Sequence, residues 1–287
     1  MELINNTLNE YLKEIEQKDN NKKVLSTGFY DLDYAIKGLK EGELIVIASR
    51  PAMGKTALEF NIAMNVAIKE KVPVAIFSLE MSKEQCIQRL ISAISAKSLV
   101  DINKIGNNTL KEDDVEKIKS AIKDLSETEI YIDDRIPLSI EEIREECIKL
   151  KNEKDIKLIV IDYLHLISTD KITETREQKL SHICLELKKL AQELNIPIIV
   201  TSPLALEKRK EDKRPIINDL NTVGISKLEA DVLIFLHRDD YYNIDTENKN
   251  IAVLIIARNK YGNTGTVKLL FKKDYLKYEN IEADIEE

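Results

Sequence analysis

The sequence lacks any run of about 18 consecutive apolar residues, and its first 19 residues are acidic and polar instead of basic and then apolar. Neither a membrane-spanning helix nor a signal peptide is therefore expected. Cysteine is also scarce, because Cys86, Cys147 and Cys184 lie far apart and form no CxxC pair. Isolated cysteines in helix-like stretches are typical of buried structural thiols, and a cytoplasmic protein fits this usage best.

The chain has no excess of positive charge. Its 43 lysines and arginines are outnumbered by 51 aspartates and glutamates, which gives a formal net charge of −8. Contacts to nucleic-acid phosphates require basic groups, so this balance taken alone weighs weakly against a nucleic-acid-binding protein. It does not exclude a protein whose basic groups line one channel while acidic groups cover the outside.

Internal repeats and low-complexity segments are absent from the 287-residue sequence. Apolar residues make up 43% of it, which is enough core material for one large domain or two small ones. Residues 1–19 place apolar side chains at helical spacing, and a polar tether follows to residue 23. We expect this helix to bury its apolar stripe either on its own domain or on a neighbouring subunit.

From residue 43 the sequence alternates short apolar runs with helix-like stretches, including a long one over about 174–195. The runs are apolar on both faces, which is typical of a buried parallel sheet with helices on both sides. They are ELIVIAS (43–49), VPVAIFSLE (72–80), KLIVID (157–162), PIIVTS (197–202) and ADVLIFLHR (230–238).

The last apolar runs follow a different pattern. IAVLIIA (251–257) and TVKLLF (266–271) flank a loop that contains glycine, which predicts an antiparallel hairpin at the sheet edge. The acidic segment from residue 276 to 287 is expected to be a frayed tail.

A phosphate-binding loop is predicted where the first strand passes into a helix. The pattern G-x-x-x-x-G-K-[ST] is met except that a serine replaces the first glycine. The backbone N–H groups of the loop would surround phosphate, the lysine would reach the β- and γ-phosphates, and the threonine hydroxyl would hold Mg²⁺. The residues concerned are Ser49, Arg50, Pro51, Ala52, Met53, Gly54, Lys55, Thr56 and Ala57.

Two carboxylates at strand ends are candidates for the remaining chemistry. Asp162 ends KLIVID, where a carboxylate suits the Mg²⁺-coordinating role of a Walker B aspartate. Glu80 ends VPVAIFSLE and faces the γ-phosphate region if that strand lies beside the first one. The alternative for Glu80 is a capping carboxylate beside the helix from Ser82, where Ser82 and Gln85 match a capping box.

With these motifs the chain resembles the DnaB-type replicative helicases, hexameric ring helicases with a RecA-like motor. The matching stretches run in the family's order over about residues 26–271. They are STGFYDLDYAIKGLKEGELIVIASRPAMGKTALEFNIA, FSLEMS, LIVIDYLHLIS, EDKRP, EADVLIFLHRDDYY and NTGTV. FSLEMS together with RPAMGKT is far more specific than a phosphate loop alone.

The resemblance implies a RecA-like ATPase domain and a role for each matching residue. Lys55 and Thr56 are similar to the phosphate and Mg²⁺ residues, Glu80 to the catalytic base and Asp162 to the Walker B aspartate. Arg89 is similar to the arginine that packs on the adenine base, a role that suits a planar guanidinium. An exposed helix arginine is the alternative for Arg89.

The sequence departs from the family pattern at the residues that would cooperate with this site. Pro203 stands where the family's γ-phosphate-sensing glutamine is expected, and proline offers no side-chain donor and no N–H. The family's finger loop reads Lys-Gln-Arg-Asn-Gly. Here the lysine is replaced by Arg258 and the arginine by Lys260, so the two cations are exchanged. Lysine lacks the bidentate fork of arginine, so either Lys260 or Arg258 would act in the neighbouring subunit's site.

The DNA-contacting loop also departs from the family, because Asn221 replaces its arginine. Gly224 remains and could offer a backbone N–H to a DNA phosphate. Nearby basic residues could track single-stranded DNA or belong to a solvated loop. These are Lys208, Arg209, Lys210, Lys213 and Arg214.

The resemblance divides the chain into a linker helix and tether (1–23), the ATPase domain (24–275) and the acidic tail (276–287). It implies a homohexameric, ATP- and Mg²⁺-dependent helicase motor that moves 5′-to-3′ on single-stranded DNA. It also implies possible contacts with primase, a helicase loader or a cellular helicase. The alternative function is a helicase-like ATP-binding protein that regulates or loads a replicative helicase with weak or no unwinding. A recombinase-type filament protein would not explain FSLEMS.

Overall fold

A nine-stranded sheet runs through the middle of the molecule. The computed structural model describes residues 24–94, 100–107, 109–169, 175–204, 214–217, 219 and 230–282. Within these residues the strand order is β11-β10-β9-β8-β1-β7-β5-β2-β3, and a small parallel pair, β4-β6, stands apart. The strands are β1 (Leu44–Ser49), β2 (Val74–Ser78), β3 (Ile130–Asp133), β4 (Leu138–Ser139), β5 (Leu158–Asp162), β6 (Ile167–Ser168), β7 (Ile198–Pro203), β8 (Val232–Arg238), β9 (Ile251–Asn259), β10 (Gly265–Lys272) and β11 (Lys277–Asn280).

Helices connect and cover these strands. A π-helical turn, Val66–Glu70, extends the second helix. The α-helices are α1 (Tyr30–Ile36), α2 (Lys55–Asn65), α3 (Lys83–Ile94), α4 (Ile102–Gly106), α5 (Glu112–Ser126), α6 (Ile140–Lys154) and α7 (Arg176–Leu194). The long helix expected over about 174–195 is therefore confirmed as α7.

The six strands from β8 to β3 pair in parallel. Five of them were predicted from their apolar runs, and the sixth, β3, is half-buried and was not predicted. Strand β1 lies between β7 and β8, and every one of its residues is buried. Burial on both faces requires a covering layer on each side. Helices α1 to α3 pack over one face and helices α6 and α7 over the other, so each face has its own apolar core.

The three cysteines lie in these cores and are buried, and no disulfide joins them in the described part of the chain, which confirms the expected buried thiols. Cys86 belongs to the core under α3, and Cys147 and Cys184 belong to the opposite core. Burial raises the pKa of the Cys147 thiol, so its reactive thiolate form is suppressed.

The predicted antiparallel hairpin is confirmed as β9 and β10, which pair from Ile251–Leu270 to Ile256–Gly265. The expectation of a frayed tail from residue 276 is wrong for its first residues. Lys277–Asn280 form β11, which pairs with β10 and makes the outer edge of the sheet. The reason is that Tyr278 is buried and stacks on Phe271, with ring centroids 4.4 Å apart.

The part of the chain that the structure describes contains no helix that is both long and apolar enough to cross a bilayer.

Asp231 fixes the amino edge of the sheet, where β8 begins beside β1. Its side chain accepts a hydrogen bond from the Leu44 N–H at 2.9 Å and from the Lys188 ammonium at 2.5 Å. The carboxylate is only 4% exposed. Burial disfavours its charge, but the bonds from Lys188 and Leu44 outweigh burial and hold the pKa of Asp231 below its ordinary value.

Replacing Asp231 with alanine should lower the free energy of unfolding by about 2 to 3 kcal/mol, because the Lys188 ammonium and the Leu44 N–H lose their acceptor. Since the folded-state pKa is depressed, this contribution is present above the ordinary aspartate pKa of about 4 and is lost as the pH falls further. Urea unfolding at pH 7 and at lower pH measures both effects.

Asp155→Asn is the matched control, because Asp155 has a left-handed backbone with φ +52° that asparagine tolerates better than alanine. Asp155 also pairs with two lysines, Lys151 and Lys157, but its side chain is 66% exposed. Loss of its charge should cost about 0.5 kcal/mol or less. Equal losses in the two variants would contradict the anchoring role given to Asp231.

Candidate nucleotide site

The predicted phosphate loop joins β1 to α2 at the carboxyl edge of the parallel strands. Gly54 adopts a φ of +95°, a conformation that favours glycine. A Cβ at this position would lie 2.5 Å from the Tyr278 hydroxyl oxygen and 3.1 Å from the Phe271 ring. The Tyr278 hydroxyl donates to the Gly54 carbonyl at 3.1 Å. The loop therefore rests on aromatic residues of β10 and β11, and glycine is the residue that fits.

Asp162 is fully buried at the end of β5 and is held by two hydroxyl groups. Thr56 Oγ1 donates to Asp162 Oδ2 at 2.8 Å, and Thr201 Oγ1 donates to Asp162 Oδ1 at 2.7 Å. A carboxylate and a threonine hydroxyl at this separation supply the hard oxygen ligands that Mg²⁺ takes. Thr56 and Asp162 therefore fit the metal role predicted for them.

A cavity of about 790 Å³ opens beside these groups. It is lined by every residue of the predicted loop from Ser49 to Ala57 and also by Glu80, Arg89 and Pro203. The Lys55 ammonium lies 5.4 Å from the centroid of the Tyr163 ring, which lines the cavity too. The structure thus brings together the residues predicted to bind the phosphates, to contact adenine and to catalyse hydrolysis. The two finger-loop cations are the exception.

Glu80 reaches this cavity by a route different from the one considered from the sequence. Strand β2 does not lie beside β1, because β7 and β5 separate them. Parallel strands all end at the same edge of the sheet, so the loop after β2 still brings Glu80 to the cavity.

The helix after Glu80 has other capping groups. Ser82 and Gln85 form the predicted capping box, with N–H to side-chain distances of 3.0 and 3.4 Å. The Lys83 N–H donates to Asp134 at 2.8 Å. The carboxylate of Glu80, an exposed residue, is therefore not required as a helix cap.

The far wall of the cavity contains residues that the sequence reasoning missed. Arg238 pairs with Asp240 through two hydrogen bonds of 3.0 and 3.1 Å, and its guanidinium lies 4.7 Å from the Phe271 ring centroid. Arg238 ends the buried strand β8 just as Asp162 ends β5. A polar residue at the end of an apolar strand was the sequence signal that could have identified Arg238 as a cavity residue.

Pro203 also lines the cavity, at the end of β7 opposite Ser49. The strand continues past it through the Leu204 N–H, which donates to the Ser49 carbonyl at 2.8 Å. The backbone therefore accommodates proline, and the position offers the cavity no hydrogen-bond donor.

Lys260 and Arg258 do not reach this cavity. They belong to the β9–β10 hairpin region at the amino edge, where the Lys260 ammonium lies 3.3 Å from Asp231 Oδ1. The Lys260 side chain is 49% exposed. The phosphate loop lies at the opposite edge of the same sheet. Within one chain, Arg258 and Lys260 are therefore separated from the phosphate loop.

The predicted DNA contacts are only partly described. Arg214 is exposed and precedes the buried Pro215. The other basic candidates, 208–210 and 213, lie outside the described residues, as do Asn221, Gly224 and the linker helix 1–19. Their proposed roles stay predictions.

A phosphate loop, a buried aspartate on its threonine and a carboxylate-lined cavity at the carboxyl edge of a mostly parallel sheet define a P-loop NTPase. The family model for the DnaB-like helicase C terminal domain matches residues 24–280, and the chain belongs to this family.

Curated relatives agree with this assignment. The replicative DNA helicase DnaB of Geobacillus stearothermophilus is 41% identical over 275 residues, which cover 95% of this chain and 60% of that protein. The replicative DNA helicase DnaC of Bacillus subtilis (strain 168) is 42% identical over 273 residues, with 93% and 60% covered. The chain thus spans about 60% of the length of these relatives.

Solved structures share the RecA-like fold. One of them, a separately solved ATPase domain, superposes with a TM-score of 0.90 at 34% identity, covering 98% of this chain and all of that one. A DnaB-like replicative helicase, described with its interactions with primase, gives a TM-score of 0.87 at 34% identity. It covers 98% of this chain and 68% of that one.

Replacing Gly54 with alanine should weaken nucleotide binding at least about tenfold, because the added Cβ collides with Tyr278 and the left-handed backbone is strained. Titration with a fluorescent ATP analogue measures the affinity. Gly106→Ala is the control, because no atom lies within 4 Å of the Cβ added there. Undiminished binding by the Gly54→Ala variant would show that the loop does not need this close contact.

Proposed function

We propose that the protein is the ATP-hydrolysing motor of a ring-forming DNA helicase that acts in replication in the cytoplasm. The observation that carries this proposal is the hydrogen bond from Thr56 to the buried Asp162, beside a cavity that Thr56, Lys55 and Glu80 line. Membership of the DnaB-like family supports DNA unwinding as the use of that hydrolysis. Because the chain spans only part of its relatives' length, the activity of the whole protein is part of the proposal.

Each residue of the site has a defined task in this reaction. Lys55 and the loop N–H groups hold the phosphates of ATP, and Arg89 packs on the adenine base. Glu80 accepts a proton from the attacking water while the oxygen of that water bonds to the γ-phosphorus. The bond from the γ-phosphorus to the bridging oxygen breaks, and ADP leaves with that oxygen. Thr56 and Asp162 would hold Mg²⁺, and the ion would neutralise charge on the phosphate oxygens.

The positions of Arg258 and Lys260 support catalysis between subunits. Within one chain the sheet separates them from the cavity, so a phosphate contact requires a second copy. A head-to-tail arrangement places the amino edge of one copy on the carboxyl edge of the next, and such interfaces form a ring when the rotation between copies closes. We therefore propose a homo-oligomeric ring, expected to be a hexamer, with ATP at each interface.

Single-stranded DNA is the proposed track of the motor, with 5′-to-3′ movement. The basic segment that ends at Arg214 and the backbone N–H of Gly224 are the proposed phosphate contacts. Primase is a proposed partner, because a solved relative is described with its primase interactions. A helicase loader or a cellular helicase is a further candidate partner.

One observation favours a second candidate, a helicase-like ATP-binding protein that regulates or loads another helicase. Pro203 lines the cavity without a hydrogen-bond donor, which removes one way of coupling the γ-phosphate to the rest of the molecule. Strand displacement on forked DNA, measured beside ATP hydrolysis, separates the two functions. ATP turnover without unwinding would support the regulator.

Replacing Glu80 with glutamine should lower the rate of ATP hydrolysis about 100-fold or more while nucleotide affinity stays close to normal, because only proton transfer is lost. Steady-state hydrolysis with and without single-stranded DNA, beside analogue binding, measures the two effects. DNA should stimulate the unaltered protein. A Glu80→Gln variant as active as the unaltered protein would rule out this residue as the base.

Mixing two inactive variants tests the contact between subunits. Arg258→Ala/Lys260→Ala lacks the cations and Glu80→Gln lacks the base, so each alone should be nearly inactive. In an equal random mixture about one interface in four combines an intact base with intact cations from the neighbour. Hydrolysis should therefore recover on mixing. A mixture no more active than its components would exclude action of these cations in the neighbouring site.

A further inference from the structure

Glu59 is a buried carboxyl with no evident structural purpose. It lies in α2 one turn after Thr56, and its side chain is 0% exposed. Neither of its oxygens has a hydrogen-bond partner among the described residues. A buried carboxyl without a donor is costly, and such a group in a native protein calls for an explanation.

The other buried polar residue of the same helix is fully bonded. Asn61 donates to the carbonyls of Ala57 and Leu276 at 2.7 and 2.9 Å, and it accepts from the Tyr278 N–H at 2.9 Å. The core around α2 thus provides partners where a polar side chain serves the fold. Glu59 has no backbone partner of this kind among the described residues, and the side chains that act on its carboxyl are those of Asp162, Lys55 and Thr201.

The polar surroundings of Glu59 belong to the metal end of the nucleotide site. Burial and the neighbouring Asp162 raise the pKa of Glu59 well above its ordinary value, while Lys55 opposes this shift and Thr201 also acts on the carboxyl. Two of these neighbours already bond each other, since the Thr201 hydroxyl donates to Asp162. Two carboxyls therefore share one buried region, and Asp162 disfavours the ionised form of Glu59 there.

We propose that Glu59 is a positioning residue for the divalent cation that accompanies the nucleotide, acting through Asp162 and Thr201 to set how tightly the cation is held. The inference rests on the proposed nucleotide site. A cation on Thr56 and Asp162 brings positive charge to the pair of carboxyls and offsets the cost of burying the second one. Groups behind a metal ligand typically change metal affinity about 10- to 100-fold when they are removed.

The test is the Mg²⁺ dependence of binding of a fluorescent, non-hydrolysable ATP analogue to the full chain. In Glu59→Gln and Glu59→Ala the Mg²⁺ concentration for half-maximal binding should rise about tenfold. Binding of the analogue in excess EDTA should not change, because Lys55 and the loop remain. Thermal unfolding without ligands should show that the alanine variant is folded, because alanine favours helix and removes an unsatisfied group.

Glu43→Gln is the matched control, because Glu43 is also a buried glutamate but lies at the opposite end of β1 beside Lys40. Its Mg²⁺ midpoint should equal that of the unaltered chain. If both Glu59 variants keep this midpoint and change only the melting temperature, the carboxyl has no role toward the cation and the inference is wrong. If the unaltered chain does not bind the analogue at all, the proposed function fails with it.

Discussion

The two hydrogen bonds to Asp162 join the three elements on which the nucleotide site depends. Thr56 brings the start of α2, Asp162 the end of β5 and Thr201 the end of β7 to one buried point. Because the carboxylate is fully buried, these two hydroxyl groups supply the hydrogen bonds that water cannot. Three features adjoin this point: the cavity, the phosphate loop and the carboxyl of Glu59. A movement of Asp162 would therefore displace groups in each of them.

A second buried aspartate organises the other edge of the sheet. Asp231 holds Lys188 from α7 and also contacts Lys260, the lysine proposed to act in a neighbouring subunit. Lys260 would have to leave Asp231 to reach a phosphate. Lys188 would remain as the partner of Asp231, so the carboxylate would not be left unpaired. The amino edge is therefore built so that one of its two cations is free to change partners.

The sequence predicted five of the six parallel strands and one wall of the cavity because local patterns encode them. Apolar runs mark buried strands, and parallel strands deliver their terminal side chains to one edge in any order. The strand order itself was not predictable, because crossovers and not local residues decide that β7 and β5 separate β1 from β2. The aromatic support of Gly54 was missed for a related reason, since Phe271 and Tyr278 lie more than 200 residues away. The sequence marks Glu59 as a charged residue in a mostly apolar stretch of helix α2. Its role could not be predicted, because the role depends on neighbours that only the fold brings close.

Strand β7 shows how the site differs from one that reads the γ-phosphate directly. Side chains two residues apart on a strand face the same way, so Thr201 and Pro203 share a face. The first is bonded to Asp162, and the second lines the cavity without a donor. Residue 203 therefore cannot connect the phosphates to β7 through a side-chain hydrogen bond. In the proposed function the polar connection of the phosphates to this strand would run through Asp162, which would hold the cation, and through Thr201, which donates to Asp162. In the proposed motor, sensitivity to the nucleotide would thus be concentrated at the end of the site that contains Thr56 and Asp162.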